Sequence, residues 1–174
     1  MEQAEISRKV QERFGDQIVE AGAYVGQHWV TVKPTELVAV LHFLRDEPEL
    51  DFNMLMDIGG VDYQGHPDDK EWRFEIAYQL SSLKLNHRFR VKLAVADDTV
   101  VVPSVWQDWR TANWLEREVF DQYGISFSGH PNLRRILNHD DFQGHPLRKD
   151  YPINKRQKVA RPIDHLLTDD PEWA

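Results

Sequence analysis

Arg73-Phe74-Glu75-Ile76-Ala77-Tyr78-Gln79-Leu80 and Arg88-Phe89-Arg90-Val91-Lys92-Leu93-Ala94-Val95 decide the fold. In each segment the even or the odd positions are apolar and their neighbours are largely polar. That period of two puts one face of a strand on a core and leaves the other toward water. The polar stretch Ser81–His87 between them predicts a hairpin loop, so the two segments form an antiparallel pair.

On the N-terminal side, Asn53–Val61 reads as a further apolar strand, and the Gly-, Pro- and Asp-rich Asp62–Asp69 as a loop. Ile18–Ala23 and Gln27–Val32 flank turn residues around Gly26 and predict a second hairpin. Ile6, Val10 and Phe14 form one stripe of an amphipathic helix over Glu2–Phe14, with Gly15 placed to stop it. Leu37–Arg45 reads as a helix with Thr35 as its cap, and Trp109–Tyr123 as another, starting near Thr111 or Asn113 and stopped by Gly124. Val100–Val102 predicts a short extra strand, and Pro103–Asp108 a connection. The order is helix, two strands, helix, three strands, helix. Hairpins dominate over parallel crossovers, which predicts an α+β domain with one mixed, mainly antiparallel sheet flanked by helices, over residues 1–124.

After Gly124 the pattern disappears. Residues 125–174 are punctuated by Pro131, Pro146 and Pro152, yet contain Phe127, Leu133, Ile136, Leu137, Phe142 and Tyr151. Disorder is one account of such a segment; order against a partner is the other, and the apolar content favours the second. The expectation is an extended strap docked on a partner.

Charge follows the same division. The 174 residues carry a net charge of −8, but residues 1–130 hold −9, residues 131–161 hold +5 and residues 162–174 hold −4. Arg134, Arg135, Arg148, Lys149, Lys155, Arg156, Lys158 and Arg161 make the strap basic. An acidic protein surface, this chain's own or a neighbour's, is its expected target, because arginine pairs carboxylates bidentately and the acidic body repels a polyanion such as nucleic acid. There is no cysteine, which excludes disulfides and cysteine-ligated zinc or iron–sulfur clusters on this chain. The longest apolar run, Leu37–Leu44, is interrupted by His42 and is far short of the roughly 20 residues of a membrane span. Residues 1–10 lack the features of a secretory or transit signal.

Three motifs are candidates for chemistry. Gly-His-Pro occurs at His66, His130 and His145; turns are the simpler reading, and His130 with His145 and either Glu118 or Asp121 is the alternative, a zinc or non-haem iron site. Glu116, Glu118 and Asp121 share a helix with Arg117, where acid–base work competes with an Arg117–Asp121 ion pair and with charges set to meet Arg134 and Arg135. Six tryptophans, among them Trp106, Trp109 and Trp114, suit a core or an interface. No phosphate loop, dinucleotide fingerprint or nucleophile elbow is present, and Gly59-Gly60 alone is too weak a signal.

Residues 116–137, EREVFDQYGISFSGHPNLRRIL, and 144–152, GHPLRKDYP, resemble the signature and the C-terminal hallmark of the 30-kDa (C-type) subunit family of respiratory complex I. Residues 57–62, DIGGVD, are similar to that family's short acidic strand-end segment, and Gln122 departs from it where an apolar residue is expected. The resemblance implies a structural subunit of the peripheral arm, in its unfused form, in an assembly that passes electrons from NADH to quinone and couples this to proton translocation. It implies no catalytic residue and no cofactor on this chain, with FMN, iron–sulfur clusters and quinone held by other subunits. It implies docking on the 49-kDa (D-type) subunit and other peripheral-arm subunits, at the cytoplasmic side of the inner membrane and with no span of its own. Glu118, Asp121, His130, Arg134, Arg135, His145, Arg148 and Tyr151 are the expected interface or strap-fixing residues. The equivalent subunit of a membrane-bound hydrogenase, a ferredoxin-dependent complex or an F420H2-type dehydrogenase is the nearest alternative; a stand-alone metal hydrolase is the more distant one.

Overall fold

The computed structural model describes residues 1–67 and 70–157. The two diagnostic segments form β4 (Phe74–Ser82) and β5 (His87–Val95), paired antiparallel with Ile76 opposite Leu93 and Tyr78 opposite Val91. β3 (Met54–Asp62) adds antiparallel to β4. On the other side β2 (Gln27–Val32) lies parallel to β5, and β1 (Ile18–Tyr24) closes the sheet as its antiparallel hairpin partner. The order β1-β2-β5-β4-β3 is mixed and mainly antiparallel, as the patterning predicts.

The register places Val30, Val91, Tyr78 and Ile58 on one face, where they join one buried core. Helices α1 (Gln3–Phe14), α2 (Leu37–Asp46) and α3 (Ala112–Tyr123) lay their buried stripes on that face: Ile6 and Val10 from the first, Leu37, Val40, Leu41 and Leu44 from the second, Ala112 and Val119 from the third. Two short strands, β6 (Val101–Pro103) and β7 (Ser126–Ser128), form a separate parallel pair beside α3. β7 has three residues and lies past the predicted helix stop, too short for any periodicity to show.

One predicted helix cap and one predicted helix start, Trp109, are corrected. α2 begins after Glu36, not on a Thr35 cap, with no side-chain cap bond; the chain turns in through a Glu36 N–H to Lys33 carbonyl bond. Trp109 precedes α3 in a turn, and Thr111 sits at the N-cap without capping it, because its hydroxyl donates to the Leu55 carbonyl of β3, 3.1 Å away. At the other end of α3 the Tyr123 hydroxyl donates to the Gly60 carbonyl at 2.7 Å. The two contacts hold the helix along the outer edge of β3. A side chain at Gly60 would place its Cβ 2.5 Å from the Tyr123 ring, so Gly60, though not Gly59, has a packing role that sequence alone does not show.

Candidate functional site

The residues singled out in the sequence converge on α3 and on the strap, whose described part folds back along the helix. Gly124 ends α3 in the left-handed conformation at φ +78°, turning the chain toward β7. Ile125 and Phe127 are buried in the core, and Leu133 packs against it. The strap then crosses the helix. Its inner side is therefore ordered by this chain's own carboxylates, the self-docking alternative for the basic segment.

Asp121 is the principal anchor. Its side chain is fully buried. One carboxylate oxygen accepts the successive backbone N–H groups of Ile136, Leu137 and Asn138 at 3.1, 2.8 and 2.8 Å. The other accepts from the Arg135 guanidinium at 2.6 Å and the Asn138 amide at 3.0 Å. Burial by itself raises the carboxyl, but the bonds from Asn138, Arg135 and Leu137 outweigh it and hold the pKa at about 2. The predicted Arg117–Asp121 ion pair does not form. Arg117 instead donates to the carbonyls of Arg134 and Arg135 at 3.0 and 2.9 Å, with its guanidinium over the Trp114 ring. Helix geometry permits the i,i+4 pair, but each partner gains more hydrogen bonds from the strap.

Asp62, at the end of β3, is the second anchor and was not among the sequence candidates. Its buried carboxylate accepts from Arg73 at 3.2 and 3.3 Å, from the Gln64 N–H at 3.0 Å and from the Lys149 N–H at 2.9 Å. Here too burial opposes, and Arg73 with the backbone donors brings the pKa below the usual value. The one sequence signal was its place in the 57–62 segment. Arg73 extends the link by pairing Asp150 at 2.8 Å.

The remaining strap candidates fix this path. His130 donates through Nε2 to the Asn113 carbonyl at 3.0 Å and accepts the Asn132 N–H on Nδ1. His145 carries its proton on the opposite nitrogen, donating through Nδ1 to the Asp121 carbonyl at 2.9 Å; burial, with Arg148 and Arg135 nearby, lowers its pKa. The two histidines thus meet the first and the last turn of α3, about 12 Å apart along the axis at 1.5 Å per residue. A shared metal ion is ruled out for them by that separation, and among the described residues no group of three His, Asp or Glu side chains is placed to hold one. Gly65, Gly129 and Gly144 all have positive φ, consistent with turns at the three Gly-His-Pro sites. Arg148 donates to the Tyr123 carbonyl and pairs Asp98 at 2.9 Å. Tyr151 stacks on Phe142 with centroids 5.9 Å apart and accepts from Gln157 at 2.8 Å. Glu118 and Arg134 are exposed. Gln122 is buried, and its carbonyl accepts the Leu147 N–H. Lys158, Arg161, the acidic residues 162–174 and Trp173 lie outside the described residues.

Glu116 stands apart from the strap. Fully buried, it accepts from the Ser104 hydroxyl at 2.5 Å and the Val105 N–H at 2.8 Å, and burial pushes it up to about 7 against those bonds. It thereby ties the connection before α3 to the helix. Among the tryptophans, Trp109 is in the core, Trp106 donates to the Gly129 carbonyl at 2.8 Å, and Trp114 is exposed.

While the inner side of the strap is held by polar anchors, its outer side presents apolar side chains: Leu137 is 65% exposed, Leu147 50% and Ile153 fully. Among the described residues no helix is long and apolar enough to cross a membrane.

The chain is similar in sequence and in fold to known proteins. Residues 30–157 match the family described as the 30-kDa subunit of respiratory-chain NADH dehydrogenase. The chain is 48% identical over 149 residues to the C-type subunit of NADH-quinone oxidoreductase from Brucella ovis, covering 86% of this chain and 71% of that protein. The Brucella abortus (strain 2308) protein of the same name is 47% identical over the same length. Among solved structures, a trypsin-resistant fragment (1–134) of Nqo5 superposes with a TM-score of 0.64 at 30% identity, over 76% of this chain and all of that one. A chain of the membrane-bound sulfane sulfur reductase, an archaeal respiratory membrane complex, has a TM-score of 0.68 at 22% identity over 87% of this chain and 86% of that one, a likeness of fold. With its sheet, its α3 and its described strap largely inside the matched region, the chain belongs to the 30-kDa (C-type) subunit family of NADH-quinone oxidoreductase, complex I.

Proposed function

We propose that this chain is a non-catalytic assembly subunit of the peripheral arm of NADH-quinone oxidoreductase, docked through its strap on the 49-kDa-type subunit at the cytoplasmic face of the inner membrane. In this reading FMN, the iron–sulfur clusters and quinone belong to other subunits, and the complex couples electron transfer to proton translocation.

The observation that carries the reading is the two-sided strap. Buried carboxylates fix its backbone from within, so that Leu137, Leu147 and Ile153 are displayed outward on a shaped surface. A pre-shaped apolar surface binds with less ordering cost than a free tail. Glu118 and Arg134 are exposed beside it and suit a polar rim. Asp121, Arg135, His130, His145, Arg148 and Tyr151 act as strap-fixing residues, one step removed from the contact.

The test is the combined variant Leu137→Ser, Leu147→Ser, Ile153→Ser in the full chain. These positions are exposed, so the fold and its melting temperature are retained, while co-purification with the 49-kDa-type subunit falls at least tenfold. Wild-type recovery of that subunit with the folded variant overturns the reading. The equivalent position in a related respiratory complex is the second reading, favoured by the likeness to the sulfane sulfur reductase chain.

A further inference from the structure

We propose that the end of the sheet remote from the strap is a second docking surface, which receives an acidic and partly apolar segment of another subunit. The proposal rests on the assembly role argued above and adds a contact to it.

The topology gathers the surface. β2 and β5 run parallel and start at the same end, so the β1–β2 turn and the β4–β5 turn lie side by side, next to the start of β3. Turns are ordinarily polar. Here Tyr24 is 75% exposed, Val25 81% and Leu83 70%, with Met56 exposed on the neighbouring strand. Val25 holds φ +49°, a conformation that suits Gly or Asn and is unfavourable for a β-branched side chain. An apolar side chain is thus kept in a strained backbone at a position where it packs on nothing in this chain.

Beside these turns a cleft of about 460 Å³ opens at the end of the sheet, with Gln3 of α1 and the core residues Leu80 and Phe89 in its wall. Arg88 and Arg90, two residues apart on β5, line it together with Gln27, Gln79 and Asp57. Arg90 donates to the Gln27 side chain at 3.0 Å, while its Nε is buried with no acceptor. Among the described residues no carboxylate lies within ion-pair distance of Arg88 or Arg90, whereas Arg45, Arg73, Arg135 and Arg148 each have at least one. Two unpaired guanidinium groups on a chain of net charge −8 call for carboxylates. The apolar rim calls for a polypeptide to carry them, since arginine, aromatic and methionine side chains are the enriched anchors of protein interfaces.

The test replaces Leu83 with p-benzoylphenylalanine in the full chain assembled into the oxidoreductase, with a second preparation carrying the same photo-crosslinker at Leu147 on the strap. Adduct peptides are identified by mass spectrometry. The expected adduct at position 83 is a segment of another subunit rich in Asp and Glu. Its yield falls at least fivefold with Arg88→Glu and is retained with Arg88→Lys, while the adduct at position 147 persists in both. Adducts at 147 with none at 83 overturn this surface and leave the assembly role standing. So do adducts at 83 to a second copy of this chain, to a basic or neutral segment, or in a yield indifferent to Arg88→Glu. Absence of adducts at both positions overturns the assembly role and this surface with it.

Discussion

In β4 and β5 order comes from every second side chain being withdrawn from water; in residues 131–157 it comes from backbone N–H groups and guanidinium groups that find two buried carboxylates. The sheet needs many small, interchangeable contributions, each worth about 25 cal/mol per Å² of apolar surface. The strap depends on a few irreplaceable ones. A region of the first kind resists single substitutions at its margins and fails as a whole; a region of the second kind releases locally when one anchor is lost.

The largest expected effect separates the two directly. Asp121→Ala leaves Arg135 without its carboxylate and three strap amides without their acceptor. Breaking a buried pair in this way costs about 3–5 kcal/mol. The loss is expected in the strap: amide exchange at Ile136–Asn138 accelerates and trypsin cuts after Arg134 or Arg135, while the amides of β4 and β5 stay protected. Leu93→Ala, by contrast, costs about 2–5 kcal/mol of core packing and accelerates exchange throughout the sheet. If Asp121→Ala exposes the sheet and the strap together, the two regions are one cooperative unit.

Titration sharpens it further, because α3 carries one carboxylate for each region and they shift in opposite directions. Asp121, held at about 2 against an ordinary 3.8, contributes stability that is present above pH 3.8 and lost as pH falls toward 2, on the order of 2 kcal/mol. Glu116, raised to about 7 from 4.5, contributes stability that is present below pH 4.5 and lost as pH rises through 7. Denaturant unfolding followed at the sheet should therefore weaken from about pH 5 to about pH 7.5, and Glu116→Gln should flatten that slope. Strap protection should persist through the same range and disappear only in strong acid. Gly124→Ala is the smallest test: a left-handed Ala costs about 1–2 kcal/mol, and its Cβ would lie 2.5 Å from an Arg148 nitrogen and 2.6 Å from His145 Nε2. The exchange rates of residues 145–148 should rise more than those of β5.

The same difference explains what the sequence revealed. β4, β5 and α1 were legible because a period is written in side chains, and α3 because Thr111 and Gly124 mark its ends. Asp121 was visible as a charged residue meeting Arg135, but its three backbone donors were not, since every non-proline residue carries an N–H and its destination leaves no trace in composition. Asp62 meets Lys149 across 87 residues, beyond the reach of any local pattern. Thr35 looked like a cap because hydroxyls at such positions often are, but α2 begins after Glu36; Thr111 does stand at the start of α3, with its hydroxyl drawn to a strand edge that only the tertiary structure brings near. The turn reading of Gly-His-Pro followed from backbone preferences alone and agrees with the structure, whereas which nitrogen each histidine uses depended on the neighbouring helix.

The parallel junction of β2 with β5 also bears on synthesis. Arg90 meets Gln27 across 63 residues, so the first hairpin leaves the ribosome long before its neighbour exists. At about 5–20 residues per second, its inner edge waits roughly 3–12 s for a partner. Nascent chains halted before β5 carry that bare edge, a template for joining another chain, so premature stops in residues 33–86 are the ones expected to aggregate rather than be cleared as soluble fragments.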